Sequence, residues 1–318
     1  MASKVSLISG LSNQKLAADI CDYLKVPMCE TLVDRFPGGE IQVQIKDNIR
    51  GKDVYILQST CEPPNDNLME LFLLIDAARR ASAKRITAVL PYYGYARQDR
   101  KDRPRVPISA KLVANLISTA GAQRLLAMDL HAGQIQGFFD IPVDHLYAIN
   151  VLVKHFKKKK IEDLIIVSPD VGGTKMARAY SKALGAPFAI VDKQRKTSRT
   201  TKVLNIIGDV KDKNVVIVDD LVSTAGSLVK AADALKKEGA LDVYAAIVHP
   251  VLADPALERI HKSCLKEVVV TDSIPFKRKG KTAKIKVLSV APLLAEAIKR
   301  ISQDRSVSSL FARLDVEA

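Results

Sequence analysis

Two adjacent carboxylates followed by small, hydroxyl-bearing residues are the chemistry most visible in this chain. The stretch is Val215-Val216-Ile217-Val218-Asp219-Asp220-Leu221-Val222-Ser223-Thr224-Ala225-Gly226-Ser227-Leu228. An apolar run of this kind reads as a buried strand, and the acids stand at its carboxyl end. Open α/β sheets bind ligands outside the carboxyl ends of their strands. Thr224, Ala225, Gly226 and Ser227 can offer backbone N–H groups and two hydroxyls to a phosphate at a helix N-terminus. Asp219 and Asp220 can accept hydrogen bonds from sugar hydroxyls, so a sugar phosphate suits both ends of the motif. The plainer alternative is a strand–loop–helix whose N-cap is Ser223 or Thr224.

Four other segments repeat the theme of reactive groups just past an apolar strand. Pro91-Tyr92-Tyr93-Gly94-Tyr95-Ala96-Arg97-Gln98-Asp99 leads into a charged loop over residues 100–105 that includes Lys101 and Asp102. Arg97 and Gln98, nearest the strand end, suit a nucleotide triphosphate; a solvated surface loop is the alternative. Met128-Asp129-Leu130-His131 places an imidazole that can ligate a metal, contact phosphate or serve structure alone. Ser168-Pro169-Asp170-Val171-Gly172-Gly173 is strand, acid and glycine turn; the turn can cradle phosphate and Asp170 can hold Mg²⁺ directly or through water. In Asp192-Lys193-Gln194-Arg195, an extended backbone puts Lys193 and Arg195 on one face. Two cations aimed at one point suit the charge of a phosphoryl-transfer transition state; a basic loop is the alternative. No nucleophile elbow is present. Direct transfer by positioning and charge neutralisation needs none.

These segments require a scaffold of alternating strands and helices. Short β-rich runs over 5–9, 54–58, 86–90, 125–129, 164–168, 188–192, 215–219, 243–248 and 267–271, several apolar almost throughout, predict strands. Amphipathic stretches over 13–24, 67–82, 109–119, 149–160, 173–184, 226–238 and 293–301 predict helices. The alternation predicts an α/β protein with mainly parallel, doubly wound sheets. Residues 54–57, an Ala-containing helix and 86–89 are echoed by 215–218, an Ala-rich helix and 243–246, which points to a duplicated domain. The expected boundary gives domains 1–148 and 149–318, with the segment from about 288 a candidate to pack back on the first half.

Composition narrows the class. A chain of 318 residues with 47% hydrophobic content suits two cored domains. No apolar run has the length of a bilayer span, and Met1-Ala2-Ser3-Lys4 opens no signal-peptide core. The expectation is a cytoplasmic protein with no membrane role. Cys21, Cys29, Cys61 and Cys264 form no CxxC pair, so buried reduced thiols are expected. The net charge of +14 invites nucleic acid or phosphate-rich ligands. Aromatics are only 5%, with no Trp, which speaks against base-stacking platforms and for the second reading.

Taken together, these motifs resemble the ribose-phosphate diphosphokinase (PRPP synthetase) family, in its phosphate-regulated bacterial and animal class. The resemblance also rests on Asn65-Asp66-Asn67-Leu68-Met69-Glu70-Leu71, Pro107-Ile108-Ser109-Ala110-Lys111 and Gln134-Ile135-Gln136-Gly137-Phe138-Phe139-Asp140. It implies two tandem domains of type I phosphoribosyltransferase fold, the first with ATP loops and the second with the ribose 5-phosphate site. It implies a homohexamer with active sites at subunit contacts. ATP falls to Phe36, Gly38, Glu40, Arg97, Gln98, Asp99, Lys101, Asp102 and His131. One or two Mg²⁺ ions fall to His131 and Asp170, and the diphosphate loop to Asp170, Gly172 and Gly173. Lys193 and Arg195 stabilise the transition state. Asp219, Asp220, Ser223, Thr224, Ala225, Gly226 and Ser227 take ribose 5-phosphate. Arg50, Ser82, Ser306 and Ser308 match the site where phosphate activates and ADP inhibits. The family implies attack by the anomeric hydroxyl on the β-phosphorus of ATP, giving PRPP and AMP. Three positions depart from its pattern: Gly38 for the usual Asn or Asp, Ser223 for a frequent Asp, and Ser227 for Thr. A non-catalytic regulatory homologue and a PRPP-consuming phosphoribosyltransferase are the rivals. The retained Lys193, Arg195, His131 and Asp170 speak against the first. The tandem domain with its charged loop speaks against the second.

Overall fold

Strands covered by helices on both faces read as unbroken apolar runs, and two such sheets organise this chain. The computed structural model describes residues 5–194, 203–276 and 282–310, with the backbone alone at 193, 194, 203 and 204. The chain divides into two compact units. Among the described residues no helix is long and apolar enough to cross a membrane.

Among the described residues, the first unit comprises 5–147, 273–275 and 289–310. It contains β1 (Val5–Ser9), α1 (Gln14–Leu24), β2 (Thr31–Arg35), β3 (Ile41–Ile45), β4 (Asp53–Leu57), α2 (Pro64–Arg80), β5 (Arg85–Leu90), α3 (Ser109–Ala120), β6 (Arg124–Met128) and β7 (Val143–Leu146). Its sheet runs β1-β4-β5-β6-β7, parallel throughout. β2 and β3 form a separate antiparallel hairpin. Every residue of β4 is buried, and Ile56, Ile86, Ala88 and Leu125 join Leu71 and Leu74 of α2 in one core.

Among the described residues, the second unit comprises those of 148–272 and 276–288. It contains α4 (Ile149–Lys159), β8 (Leu164–Ser168), α5 (Thr174–Leu184), β9 (Phe188–Gln194), β10 (Val203–Ile207), β11 (Asn214–Val222), α6 (Gly226–Lys237), β12 (Val243–Pro250), α7 (Ala256–Lys262), β13 (Leu265–Thr271) and β14 (Ile285–Leu288). The order is β10-β9-β8-β11-β12-β13-β14, parallel except for β9 against β10. The chain leaves β8 on one side for β9 and returns on the other as β11. Neighbouring strands whose connections run in opposite directions define a topological switch point, where the crevice of an open α/β sheet lies. The last helix, α8 (Ala291–Ser302), belongs to the first unit and packs on α1.

The observed elements differ from the sequence expectation in two respects. The hairpin β2–β3, the strands β7, β10 and β14 and the seven-residue α7 were not expected. β2 and β14 alternate half-buried and exposed residues, so neither carries a continuous apolar signal. Cys21, Cys29 and Cys61 are buried, whereas Cys264 is exposed. This corrects the expectation of four buried thiols.

The carboxyl ends of β1 and β4 are closed by the chain's own polar groups. Glu70 Oε1 accepts the Leu11 N–H at 2.6 Å, and Gln58 Oε1 accepts the Ser12 N–H at 3.2 Å. Gln58 is fully buried and Glu70 only 4% exposed. Gly10 is glycine because a Cβ there would stand 2.3 Å from Gln58 Oε1. Burial pushes the Glu70 carboxyl above the usual range, opposed by the Leu11 N–H. A carboxyl raised by folding keeps its proton where the unfolded chain has released it, so its contribution to stability falls as pH rises from about 4. Glu70→Gln keeps an acceptor for Leu11 and removes this dependence. The urea midpoint of the variant is expected to fall less steeply as pH rises from about 4 than that of the wild type; parallel profiles would refute the assignment.

Candidate active site

The switch point gathers three carboxylates. β8 pairs with β11 only as far as Ile217, so β11 beyond Val218 stands clear of β8 on that side. There Asp219 and Asp220 are set half-buried, and the Asp220 N–H donates to Asp219 Oδ1 at 2.9 Å. The acids lie inside the strand, not at its end as the sequence suggested: β11 continues to Val222 because Leu221 and Val222 still pair with His249 and Pro250 of β12. Burial, then the nearby Asp220 and Asp170, push Asp219 up to about 8. A crevice that raises a carboxyl this way favours any cation brought into it.

Asp170 follows β8. Its Oδ1 accepts the Gly173 N–H at 3.2 Å, and the Ser168 hydroxyl donates to its carbonyl at 2.6 Å. Gly173 has a steric reason to be glycine, since a Cβ would stand 2.6 Å from Ser168 Oγ. Gly172 and Gly173 form a short 3₁₀ turn that feeds α5, so backbone N–H groups of the turn and of the first helical turn are oriented together.

Across the crevice, Ser223, Thr224 and Ala225 connect β11 to α6. The N-cap is Ala225, neither Ser223 nor Thr224, and it adopts φ 58° and ψ 6° with no side-chain cap. Thr224 and Ser227 are exposed and Ser223 and Gly226 half-buried, while Ala225 is buried. Arg259 Nη1 donates to the Thr224 carbonyl at 2.9 Å. Sequence reasoning missed Arg259, because no spacing rule ties two positions 35 residues apart. Lys193 lies in β9, its backbone opposite Leu204 of β10. Arg195 lies outside the described residues.

The first unit holds the remaining candidates. Phe36, Gly38 and Glu40 form the tip of the β2–β3 hairpin, closed by the Phe36 N–H to the Glu40 carbonyl at 2.9 Å. Phe36 is 48% exposed. A Cβ at Gly38 would meet nothing within 4 Å, so the side chain usual in the resembled family has room here. Arg35 braces the tip through the Gly39 carbonyl at 2.7 Å and Asp66 at 2.7 Å. After β5, the Gly94 N–H donates to Thr60 Oγ1 at 2.6 Å, and the Tyr93 hydroxyl to the Ala110 carbonyl at 2.8 Å. Gln98 is tied to Ser109 through its side chain, and Asp99 accepts from Gln134 at 2.9 Å. Arg97, Lys101 and Asp102 are exposed. His131 is exposed just past a left-handed Asp129 (φ 38°), and the next turn residue, Leu130, donates its N–H to His145 Nε2 at 2.9 Å. Arg50 Nη1 donates to Ser82 Oγ at 3.1 Å, and the Ser306 and Ser308 hydroxyls are 3.1 Å apart.

For Mg²⁺, the donor set is the test. Among the described residues no group of three or more His, Cys, Asp or Glu forms a cage. Mg²⁺ ordinarily keeps waters and takes one or two carboxylates along with substrate phosphates. The exposed Asp170 carboxylate beside the glycine turn fits that mode.

Acids at the switch point of a mainly parallel sheet, beside a glycine turn that opens a helix, are an arrangement suited to phosphorylated sugars or nucleotides. A family model described as the N-terminal domain of ribose phosphate pyrophosphokinase matches residues 5–121. One described as the phosphoribosyl synthetase-associated domain matches residues 179–312. A ribose-phosphate pyrophosphokinase of Chlorobaculum tepidum is 54% identical over 98% of this chain and 96% of its own length. One of Bacillus subtilis is 52% identical over 95% of each. The crystal structure of phosphoribosylpyrophosphate synthetase from Mycobacterium smegmatis superposes with a TM-score of 0.90 at 41% identity, covering 94% of this chain and 99% of that one. The chain belongs to the ribose-phosphate pyrophosphokinase family.

Proposed function

We infer that this chain transfers the β,γ-diphosphate of ATP to the C1 hydroxyl of ribose 5-phosphate, producing PRPP and AMP for nucleotide biosynthesis. One observation carries the assignment of the sugar site: Asp219 and Asp220 stand at the switch point directly before the Ser223–Ser227 turn, in a chain of this family. Asp219 and Asp220 accept from the ribose hydroxyls, and the turn after them binds the 5-phosphate through its N–H groups and hydroxyls. The C1 oxygen then attacks the β-phosphorus, the bond from that phosphorus to the α-phosphate oxygen breaks, and the hydroxyl proton passes to solvent. Asp170 and His131 would hold Mg²⁺, which would neutralise phosphate charge. Lys193 and Arg195 stabilise the charge that spreads over the transferred group.

The first unit supplies the ATP loops: the hairpin tip with Phe36, Gly38 and Glu40, and Arg97, Gln98, Asp99, Lys101 and Asp102 after β5. Arg50 and Ser82, already within hydrogen-bond distance, and Ser306 and Ser308, which lie in the same unit, suit a phosphate or ADP at a regulatory site. Activation by phosphate, inhibition by ADP, assembly into a homohexamer and a cytoplasmic location complete the reading; the family resemblance supports them.

The test is AMP release from ATP with Mg²⁺ and phosphate, with and without ribose 5-phosphate. Sugar-dependent AMP in step with PRPP is the expected result. ADP as product would mean γ-phosphoryl transfer and would overturn the mechanism. A folded protein that binds ribose 5-phosphate without turnover would instead be a regulatory homologue.

A further inference from the structure

We propose that Arg259 is a positioning residue that holds the turn between β11 and α6 in its phosphate-binding conformation; the proposal rests on the reading of that turn given above. The turn is short and strained. Ala225 is 4% exposed and sits at φ 58°, a left-handed conformation that an L-residue keeps only where its surroundings impose it. Two contacts do so from the segment after β12. The Leu252 N–H donates to the Val222 carbonyl at 3.0 Å and fixes the end of β11. Arg259 Nη1 donates to the Thr224 carbonyl at 2.9 Å and fixes the next peptide but one.

That peptide joins Thr224 to Ala225. In a trans peptide the carbonyl and the N–H point to opposite sides. Drawing the Thr224 carbonyl to the guanidinium therefore turns the Ala225 N–H away from it, toward the side left for an anion. The guanidinium comes from a fixed support: Ala256 and Ile260 of α7 are 0% and 1% exposed in the core of the unit, and Ala225 and Leu228 belong to the same core. Gly226 completes the fit, since a Cβ there would stand 3.3 Å from Arg259 Nη1 and press on it. The guanidinium also places a permanent positive charge beside the first turn of α6.

The role predicts a split in kinetic constants that a merely structural residue would not give. In Arg259→Ala the turn is no longer held, and ribose 5-phosphate must order it on binding. The KM for ribose 5-phosphate rises on the order of tenfold, as loss of one charge-assisted hydrogen bond implies. The kcat and the KM for ATP stay within about twofold. Arg259→Lys, with one point donor in place of the fork, recovers part of the loss. Should the alanine variant not fold, the lysine variant carries the same test. Where the wild type turns over, an unchanged KM for ribose 5-phosphate in the alanine variant would overturn the proposal alone. So would an equal fall in all constants with a lowered melting temperature. Calorimetric titration of the wild type with ribose 5-phosphate separates the two readings: if it binds without turnover, the variant's affinity decides on Arg259, and if it does not bind, the sugar-site assignment and this proposal fall together.

Discussion

Lys193→Ala is expected to leave the protein folded and to cut the rate of AMP release by on the order of 10²–10³-fold, the cost of removing one preorganised charge-stabilising group. Transfer of a diphosphate spreads negative charge over the oxygens of the moving group, and little else in the reaction needs a protein side chain. A cation that meets this charge acts more on the transition state than on bound ATP. The loss should therefore appear in kcat, with the KM values changing far less. Folding should survive, because the backbone pairing of Lys193 with Leu204 in β9 and β10 does not depend on the ammonium group. Lys193→Arg keeps the charge and not the shape, so it should recover only part of the rate. Single-turnover measurements with a circular-dichroism melt on the same sample decide the matter. A folded alanine variant with near-normal turnover would remove Lys193 from the reaction.

Asp220→Ala is expected to act on the other substrate. Hydrogen bonds donated to a charged acceptor are worth about 1.5–3 kcal/mol each, so loss of the carboxylate should raise the KM for ribose 5-phosphate by about 10–100-fold. The KM for ATP should hardly move. A second consequence follows from the crowding of acids at the switch point. Asp220 and Asp170 both hold the Asp219 carboxyl above its ordinary range, behind burial as the larger cause. Removing Asp220 takes away one of those charges, so Asp219 should titrate at lower pH in the ligand-free variant, a shift readable by carboxyl carbon NMR. An unchanged KM for ribose 5-phosphate would place the sugar elsewhere.

Much of this molecule was legible because its signals are local. A strand buried on both faces must be apolar along its length, and most of β8 and residues 215–218 of β11 announced themselves this way. Helices with one buried face, such as α5 and α6, carry the matching period. The candidate site residues stood out for a related reason: an open sheet sets ligand-facing groups at and just past the carboxyl ends of its apolar runs, so Asp170 and His131 follow such runs and Asp219 comes directly after the apolar residues of β11. The hairpin β2–β3 and the strand β14 lacked that signal, because half-exposed positions break the apolar run. α7 is too short to show a period.

What the sequence determined by itself, then, was the alternation of strand and helix and the kind of group at each strand end, since both follow from neighbours along the chain. Tertiary structure decided the rest. Strand order made the gap between β8 and β11 a switch point and brought the Asp170 and Asp219 carboxylates into one electrostatic environment. Continued pairing with β12 carried β11 past its acids to Val222. The left-handed Ala225 and the guanidinium that holds the carbonyl before it belong to elements 35 residues apart, joined only when α7 packs against the core beneath the turn. Hydrogen bonds and charges act through space over a few ångströms, so they appear only once the fold has set which strands are neighbours.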